Sequence, residues 1–329
     1  AFTVNVPNGG EKWDVGSGQN ITWTWNGSVS DVKLEYSTDG GATYPNIIAA
    51  VSNTGSYLWT IPDNITAQLR VRVSDLADSA NAYDASNSIA KIRAKFTLTS
   101  PNGGEIWKID DSHTINWNCI GTVANVQFDY SRDDFGSDIV NITPSTVNDG
   151  SQAWIIPDAI STNLKVRVMS ITDTDAYDIS NAAFKIHGAF TLTAPNGGED
   201  WRIGQASSIT WTALGSIANV KLQYSTDSGS TFSNTITAST VNTGSYSWTI
   251  PNTPSANARV RVLDASDDTI YDDSSVNFGI RGYFAVTSPN GGEVWIVNSN
   301  YNITWNWGGN IGYKLSYSTD GGLTYPNSI

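Results

Sequence analysis

"ITWTW", residues 21–25, alternates apolar Ile21, Trp23 and Trp25 with polar Thr22 and Thr24. A period of two puts successive side chains on opposite faces, so the stretch reads as a β-strand with one buried face. Its surroundings repeat the pattern. Val32, Leu34 and Tyr36 alternate with Lys33 and Glu35, and Val71 and Val73 alternate with Arg70 and Arg72. Turn residues fill the gaps, at Asn8-Gly9-Gly10, Gly16-Ser17-Gly18, Asp39-Gly40-Gly41 and Asn53-Thr54-Gly55-Ser56. Glycine there supplies positive φ, and Asn and Asp bond their own turn amides. No stretch shows a helical period.

The pattern recurs. Pro-Asn-Gly-Gly-Glu-x-Trp begins at Pro7, Pro101, Pro195 and Pro289, each 94 residues apart. Ile-(Thr/Asn)-Trp follows at Ile21, Ile115, Ile209 and Ile303, and Tyr-Ser at Tyr36, Tyr130, Tyr224 and Tyr317. Trp-x-Ile-Pro (Trp59, Trp154, Trp248), an Arg/Lys-Val-Arg-Val strand (Arg70, Lys165, Arg259) and Tyr-Asp-x-Ser (Tyr83, Tyr177, Tyr271) complete the unit. About seven short strands in a unit of this size predict an Ig-like or fibronectin-III-like sandwich. The expected fold is therefore all-β: tandem Ig-like/fibronectin-III-like β-sandwich domains in an elongated row. Their bounds are 1–95, 96–189, 190–283 and the N-terminal half of a fourth at 284–329. Few residues separate Ile92 from Phe96, Ile186 from Phe190 and Ile280 from Phe284, which leaves little slack between domains. The fourth unit stops at the equivalent of Ile48. Its apolar positions predict completion, either by further sequence of a longer chain, the favoured source, or by strands of a neighbouring copy joined end to end.

Composition narrows the function. Of 329 residues only 18 are Lys or Arg against 31 Asp or Glu, and a chain with net charge −13 lacks the basic footprint of a nucleic-acid binder. No apolar run approaches the roughly 18 residues of a membrane span. Cys119 is the only cysteine, so the cores must hold without an internal disulfide. An acidic surface rich in Asn, Thr, Ser and Gly suits an extracellular or cell-surface protein.

The string PNGGE-x-W, I-T-W, YSTDGG-x-T, GSY-x-W-x-IP and RVRV resembles bacterial and archaeal surface-protein repeats, which are similar to the fungal Ser/Thr-rich GPI-anchored cell-wall family. The resemblance covers all four units. It implies stalks, spacers or adhesive segments. The second unit departs from it, because Ser131-Arg132-Asp133-Asp134-Phe135-Gly136 breaks the spacing.

"YSTDGGATY", residues 36–44, also fits the Asp-box pattern S-x-D-x-G-x-T, which recurs at Ser225–Thr231 and Ser318–Thr324. It follows a strand and precedes an aromatic each time, the setting of a hairpin turn. A sialidase propeller would need blades of roughly 40 to 50 residues. His113 and His187 have no counterparts in the other units, and Cys119 occupies an inward slot that predicts a buried, inert thiol. These positions argue for a chain that is not an enzyme.

Two ligand readings stay open. Acidic loops precede each Tyr-Asp-x-Ser, at Asp75 and Asp78, at Asp173 and Asp175, and at Asp264, Asp267 and Asp268. Calcium takes six to eight oxygens, and Asp264, Asp267, Asp268 and Asp272 are the candidate metal ligands. The rival reading is a solvated loop with Asp-x-Ser capping a turn. Trp13, beside a turn, is the candidate glycan contact, whereas Trp23 and its counterparts read as core. Asn20, Asn26, Asn64, Asn141 and Asn302 open N-x-S/T sequons. Arg72, Arg167 and Arg261 are expected to point outward on the strand beside the one carrying Glu35, Asp129 and Gln223, where any Arg72–Glu35 pair would be a surface bridge. The expected function is a non-enzymatic rod acting as a stalk, filament segment or surface-layer element; the alternative is a carbohydrate-binding adhesin.

Overall fold

The computed structural model describes residues 1–329. It contains 31 strands and no helix, so no helix is long and apolar enough to cross a membrane. The chain divides into two compact units, Ala1–Pro157 with Ser161–Ile186, and Asp158–Ile160 with His187–Ile329.

In the first unit the opening repeat forms β1 (Phe2–Val6), β2 (Lys12–Asp14), β3 (Gly18–Trp25), β4 (Asp31–Ser37), β5 (Asn46–Ser52), β6 (Ser56–Thr60), β7 (Thr66–Asp75), β8 (Tyr83–Ala85) and β9 (Ala90–Arg93). One sheet has the order β1-β3-β6; the other runs β2-β9-β7-β4-β5, with β8 also paired to β7. The β2–β9 pair is parallel and the rest are antiparallel. Two sheets facing each other make the expected sandwich. The same nine-strand pattern and sheet orders recur through Phe184–His187 in the first unit and through Phe278–Arg281 in the second.

The alternating residues fill the space between the sheets. Ile21, Leu34, Val71, Val73 and Ile92 are each 0% exposed. Trp23, Trp117 and Trp211 are buried at equivalent positions. Each indole N–H donates to an asparagine Oδ1, on Asn53, Asn148 and Asn242, at 2.7–2.8 Å. The amide nitrogens of those asparagines donate in turn to the carbonyls of Val29, Val123 and Ile217. A buried indole N–H needs such a partner. Trp13 and Trp107 are buried as well. Trp13 sits edge-on to Trp59 with ring centroids 6.0 Å apart, so the candidate glycan contact is part of the core. The turn beside it leaves the indole on the inward side of β2, between Lys12 and Asp14.

The fourth repeat has four strands in two pairs, Tyr283–Ser288 with Thr304–Gly308, and Ser316–Tyr317 with Asn327–Ser328. Its Trp305, at the position of Trp23, is only half-buried.

Candidate inter-repeat joint

The recurrent motifs turn out to be fasteners of the sandwich. In Pro-Asn-Gly-Gly-Glu, the Glu11 carboxylate accepts the amides of Asn8 and Gly9, both at 2.8 Å. The Asn8 side chain accepts the amide of Asn87 at 2.6 Å. Gly9, at φ +132°, lies against Ser88, where a Cβ would come 2.5 Å from the serine Cβ.

Tyr-Asp-x-Ser is a tie between the sheets, where the sequence suggested a turn cap. Asp84 accepts the amide of Val4 in β1 at 2.7 Å. Buried Ser86 donates to the Pro7 carbonyl at 2.7 Å and accepts the Val71 amide at 3.0 Å. Asp178 with Ser180, and Asp272 with Ser274, make the same bonds. The fixed two-residue step between Asp and Ser reaches two strands from one edge, a distance relation that no local reading displays.

The S-x-D-x-G-x-T stretch closes the β4–β5 hairpin. Asp39 accepts the Ser37 hydroxyl at 2.5 Å and the Thr43 amide at 3.1 Å. In the third repeat, bonds from Ser225 and then from Thr231 hold the Asp227 carboxyl down at about 2. The departing second repeat keeps the same device. Asp133 accepts from Ser131 and from the Ser137 amide and hydroxyl, while Asp134 and Phe135 take positive φ to absorb the altered spacing.

The three arginines lie on the neighbouring strand, directly across from Glu35, Asp129 and Gln223, and Arg72–Glu35 is not the surface bridge expected. Glu35 and Asp129 are each 3% exposed, because aromatic rings roof the arginines. Tyr44 and Tyr83 lie 4.6 and 5.4 Å from the Arg72 guanidinium carbon, and Phe232 and Tyr271 lie 4.0 and 3.9 Å from that of Arg261. Gln223 brings no charge, and Arg261 pairs bidentately with Asp273 at 2.7 and 2.8 Å.

The contact between the first and second repeats lies wholly within the first unit. The parallel β2–β9 register sets Lys12 beside Lys91 and Asp14 beside Arg93. Trp13 and Ile92 point into the core between them, so the charged side chains share the outer face. They meet the loop before Tyr177. Lys91 Nζ lies 2.8 Å from Asp173 Oδ1 and 2.7 Å from Asp175 Oδ2. Lys12 Nζ lies 2.6 Å from Asp175 Oδ1, and Arg93 donates to the Asp175 carbonyl at 2.7 Å. Hydrogen bonds from Lys12 and then Lys91 hold the Asp175 carboxyl down at about 2. Asp173 also accepts the Asp175 amide at 3.1 Å, which shapes the loop.

A second clasp lies beside this cluster. Asp63, just after Trp-x-Ile-Pro, accepts the amide and hydroxyl of Thr122 at 2.9 and 2.6 Å. Gly121, at φ +106°, allows the approach, since a Cβ there would come 3.2 Å from Val15. Equivalent bonds occur inside the second unit. Asp158 accepts the Ser216 amide at 3.1 Å together with its hydroxyl, and Asn252 accepts the Asn310 amide at 2.8 Å. Sequence reading missed this set. The available signal was an Asp or Asn after each Ile-Pro, and a polar residue after the glycine that follows each inner-strand tryptophan.

The candidate calcium ligands have separate partners. Asp264 accepts the amide and hydroxyl of Ser266, and Asp267 accepts those of Thr269. Asp268 pairs with Lys221 at 2.9 Å. Asp272 accepts the Leu192 amide at 2.7 Å. No three His, Cys, Asp or Glu side chains gather in metal-binding geometry. Cys119 is half-buried, where a buried thiol was expected, because it lies near the end of its strand beside Gly121. Its thiol contacts the Gly121 carbonyl at 3.4 Å, and burial pushes its pKa up.

The architecture is that of tandem Ig-like and fibronectin-III-like sandwiches. No protein-family profile and no curated protein matches the chain. Among solved structures it is similar to fibronectin(III)-like modules of CbhA from Clostridium thermocellum, at 17% identity over 56% of this chain and 95% of that one, with TM-score 0.21. It is also similar to a tetra-tandem repeat in the extending region of a large adhesion protein, at 18% identity over 87% and 76%, TM-score 0.29. A titin I-band fragment aligns at 10% identity over 85% and 98%, TM-score 0.31. The fold assignment rests on the strand order and registers above.

Proposed function

We propose that this chain is a non-enzymatic structural element of the cell exterior, a row of sandwich domains serving as a stalk, filament segment or surface-layer component. The observation that supports this most is the joint in the first unit, where Lys12, Lys91 and Arg93 grip the loop carrying Asp173 and Asp175. An ion cluster together with a hydrogen-bonded clasp restrains the angle between two domains, as a spacing element under tension requires. The resemblance of the PNGGE repeats to surface-protein repeats points the same way. An adhesin that stacks sugars needs exposed rings, and burial of Trp13, Trp23 and Trp59 does not favour it.

The test is small-angle scattering of the full chain and of a Lys12→Ala/Lys91→Ala variant. The expected particle is elongated, and the variant shows a broader distribution of distances with only a small change in melting, since ion pairs at the surface or only partly covered contribute about 1 kcal/mol each. High salt has the same effect, because screening shortens to roughly 3 Å at 1 M. A compact particle, insensitive to both changes, overturns the proposal.

A further inference from the structure

Four N-x-S/T sequons, at Asn20, Asn26, Asn64 and Asn141, lie in the first unit. All four asparagines are exposed, so exposure does not separate them. Their hydrogen bonds do. Glycan transfer to a sequon uses two groups, the amide nitrogen that takes the sugar and the hydroxyl two residues on. At Asn141 both amide hydrogens are engaged, with the Phe128 carbonyl at 3.2 Å and Asp129 Oδ1 at 3.0 Å. The Thr143 hydroxyl donates to the Ser145 carbonyl at 3.4 Å. At Asn64, Nδ2 donates to the hydroxyl of buried Tyr36 at 2.6 Å. The Thr66 hydroxyl donates to the Thr38 carbonyl at 3.1 Å and accepts the Gln68 amide at 3.0 Å. A sugar on Asn141 would displace one of two bonds, to Phe128 or to buried Asp129, and a buried acceptor that loses its donor costs stability.

Asn20 and Asn26 differ. Their side-chain amides, and the hydroxyls of Thr22 and Ser28, make no hydrogen bond to the protein. On β3 the alternation sets Asn20 and Thr22 outward and Ile21 and Trp23 in the core. Asn26 and Ser28 lie in the exposed turn between β3 and β4. The surface around Asn20 gives a glycan something to cover. Strands β1, β3 and β6 contain no charged residue, whereas the outer face of the other sheet carries Lys33, Glu35 and Arg72. Asn20 stands directly across from Leu58 in the β3–β6 register, and Leu58 is 65% exposed. Charge commonly keeps a sheet with open edges from pairing with other chains. Here a bulky, hydrated group on the middle strand takes that part. Thr114 and Ser208 stand at this position in the next two repeats, so the site belongs to the first alone among the three complete ones.

We infer that Asn20 and Asn26 are sites of N-linked glycosylation, that the Asn20 glycan shields the uncharged sheet, and that Asn64 and Asn141 stay unmodified as structural side chains. The inference rests on the extracellular placement proposed above. The donor is an oligosaccharyl diphosphate, presented by a transferase. The asparagine Nδ2 forms a bond to the anomeric carbon of the sugar. The bond from that carbon to the phosphate oxygen breaks, the diphosphate leaves with the electron pair, and the amide gives up one of its two protons.

The test is secretion of the full chain from a host that performs N-glycosylation, with the folded, secreted fraction mapped by mass spectrometry. Glycan is expected on Asn20 and Asn26 and absent from Asn64 and Asn141. Thr22→Ala and Ser28→Ala should each lose the mass of one glycan. In chain made without glycosylation, Asn20→Ala should leave melting unchanged and Asn141→Ala should lower it. Enzymatic removal of the glycans should lower the concentration at which light scattering detects association, and Leu58→Lys should reverse that change. Bare Asn20 and Asn26 in the secreted chain, occupancy of Asn141 equal to that of Asn20, or equal melting losses from the two alanine variants overturns the inference. An unchanged onset of association overturns the shielding role. None of these outcomes depends on the shape read by scattering, so the rod and the glycan sites fail separately.

Discussion

Arg72 donates from both Nε and Nη2, at 3.0 and 2.7 Å, to one carboxylate oxygen of Glu35 directly across the β4–β7 ladder. Burial alone raises the Glu35 pKa, but hydrogen bonds from Lys33 and Arg72 outweigh it and the carboxyl titrates below its ordinary value. With Tyr44 and Tyr83 over the guanidinium, the pair is a roofed unit on the outer sheet face. Glu35→Ala leaves Arg72 and Lys33 without their acceptor. The expected loss in the first repeat is about 1–3 kcal/mol, read by denaturant unfolding. Adding Arg72→Ala should cost much less than a second independent loss, because neighbours in one network are not additive. Full additivity would show that the two side chains do not act together.

Gly9 tests the packing behind Pro-Asn-Gly-Gly-Glu. Gly9→Ala sets a Cβ 2.5 Å from the Cβ of Ser88 at a φ of +132°. Neither the left-handed backbone nor the short serine can yield cheaply, so a loss of about 1–3 kcal/mol is expected. Gly10→Ala, at φ +87° with nothing within 4 Å of its Cβ, should cost less. Thermal melting of the two variants distinguishes steric contact from backbone strain, and equal losses would assign the whole effect to φ.

Alternation made the strands and the inner faces legible, since Ile21 and Trp23 needed only a period of two to be placed. The turns were legible for the same local reason. The joint was not, because Lys91 and Asp173 are far apart in sequence and meet only when β2 and β9 pair in parallel and the next repeat presents its loop. Glu35 and Arg72 were legible as outward residues of adjoining strands, but their direct pairing comes from the register and their shielding from Tyr44 and Tyr83 of two other segments. Asp272 shows the converse. An acidic residue in an acidic loop invites a metal, and its bond to the Leu192 amide comes from a strand 80 positions away.

Stability should fall in acid from the ordinary carboxylate range downward. Asp175 and Asp227 titrate at about 2 in the folded protein, and Glu35 and Asp129 are also lowered, against burial, by their hydrogen-bonded partners. A folded pKa below the unfolded value contributes stability that is present above about pH 4 and lost as pH falls through the folded value. Melting temperature should therefore hold steady near neutrality and drop between about pH 4 and about pH 2. Asp227→Asn should remove part of that drop from the transition of the third repeat. A melting temperature flat to about pH 2 would contradict the ionised hydrogen-bonded state of these side chains.

Calcium is the remaining ligand question, and the expected result is that a chelator leaves melting and scattering unchanged. Calcium needs six to eight oxygens around one point. Among Asp264, Asp267, Asp268 and Asp272, the last is tied to the Leu192 amide inside the sandwich and Asp268 is drawn to Lys221. Turning Asp272 toward the loop would break a tie that each complete repeat makes. Turning Asp268 would free Lys221 as a competing cation. Asp264 and Asp267 already bond the Ser266 and Thr269 amides. The decisive measurement is calorimetric melting in excess chelator and again in millimolar calcium. A rise in the transition of the third repeat with calcium, abolished by Asp268→Asn, would show that the loop rearranges into a metal site. An unchanged transition leaves these aspartates as fasteners of strand and turn.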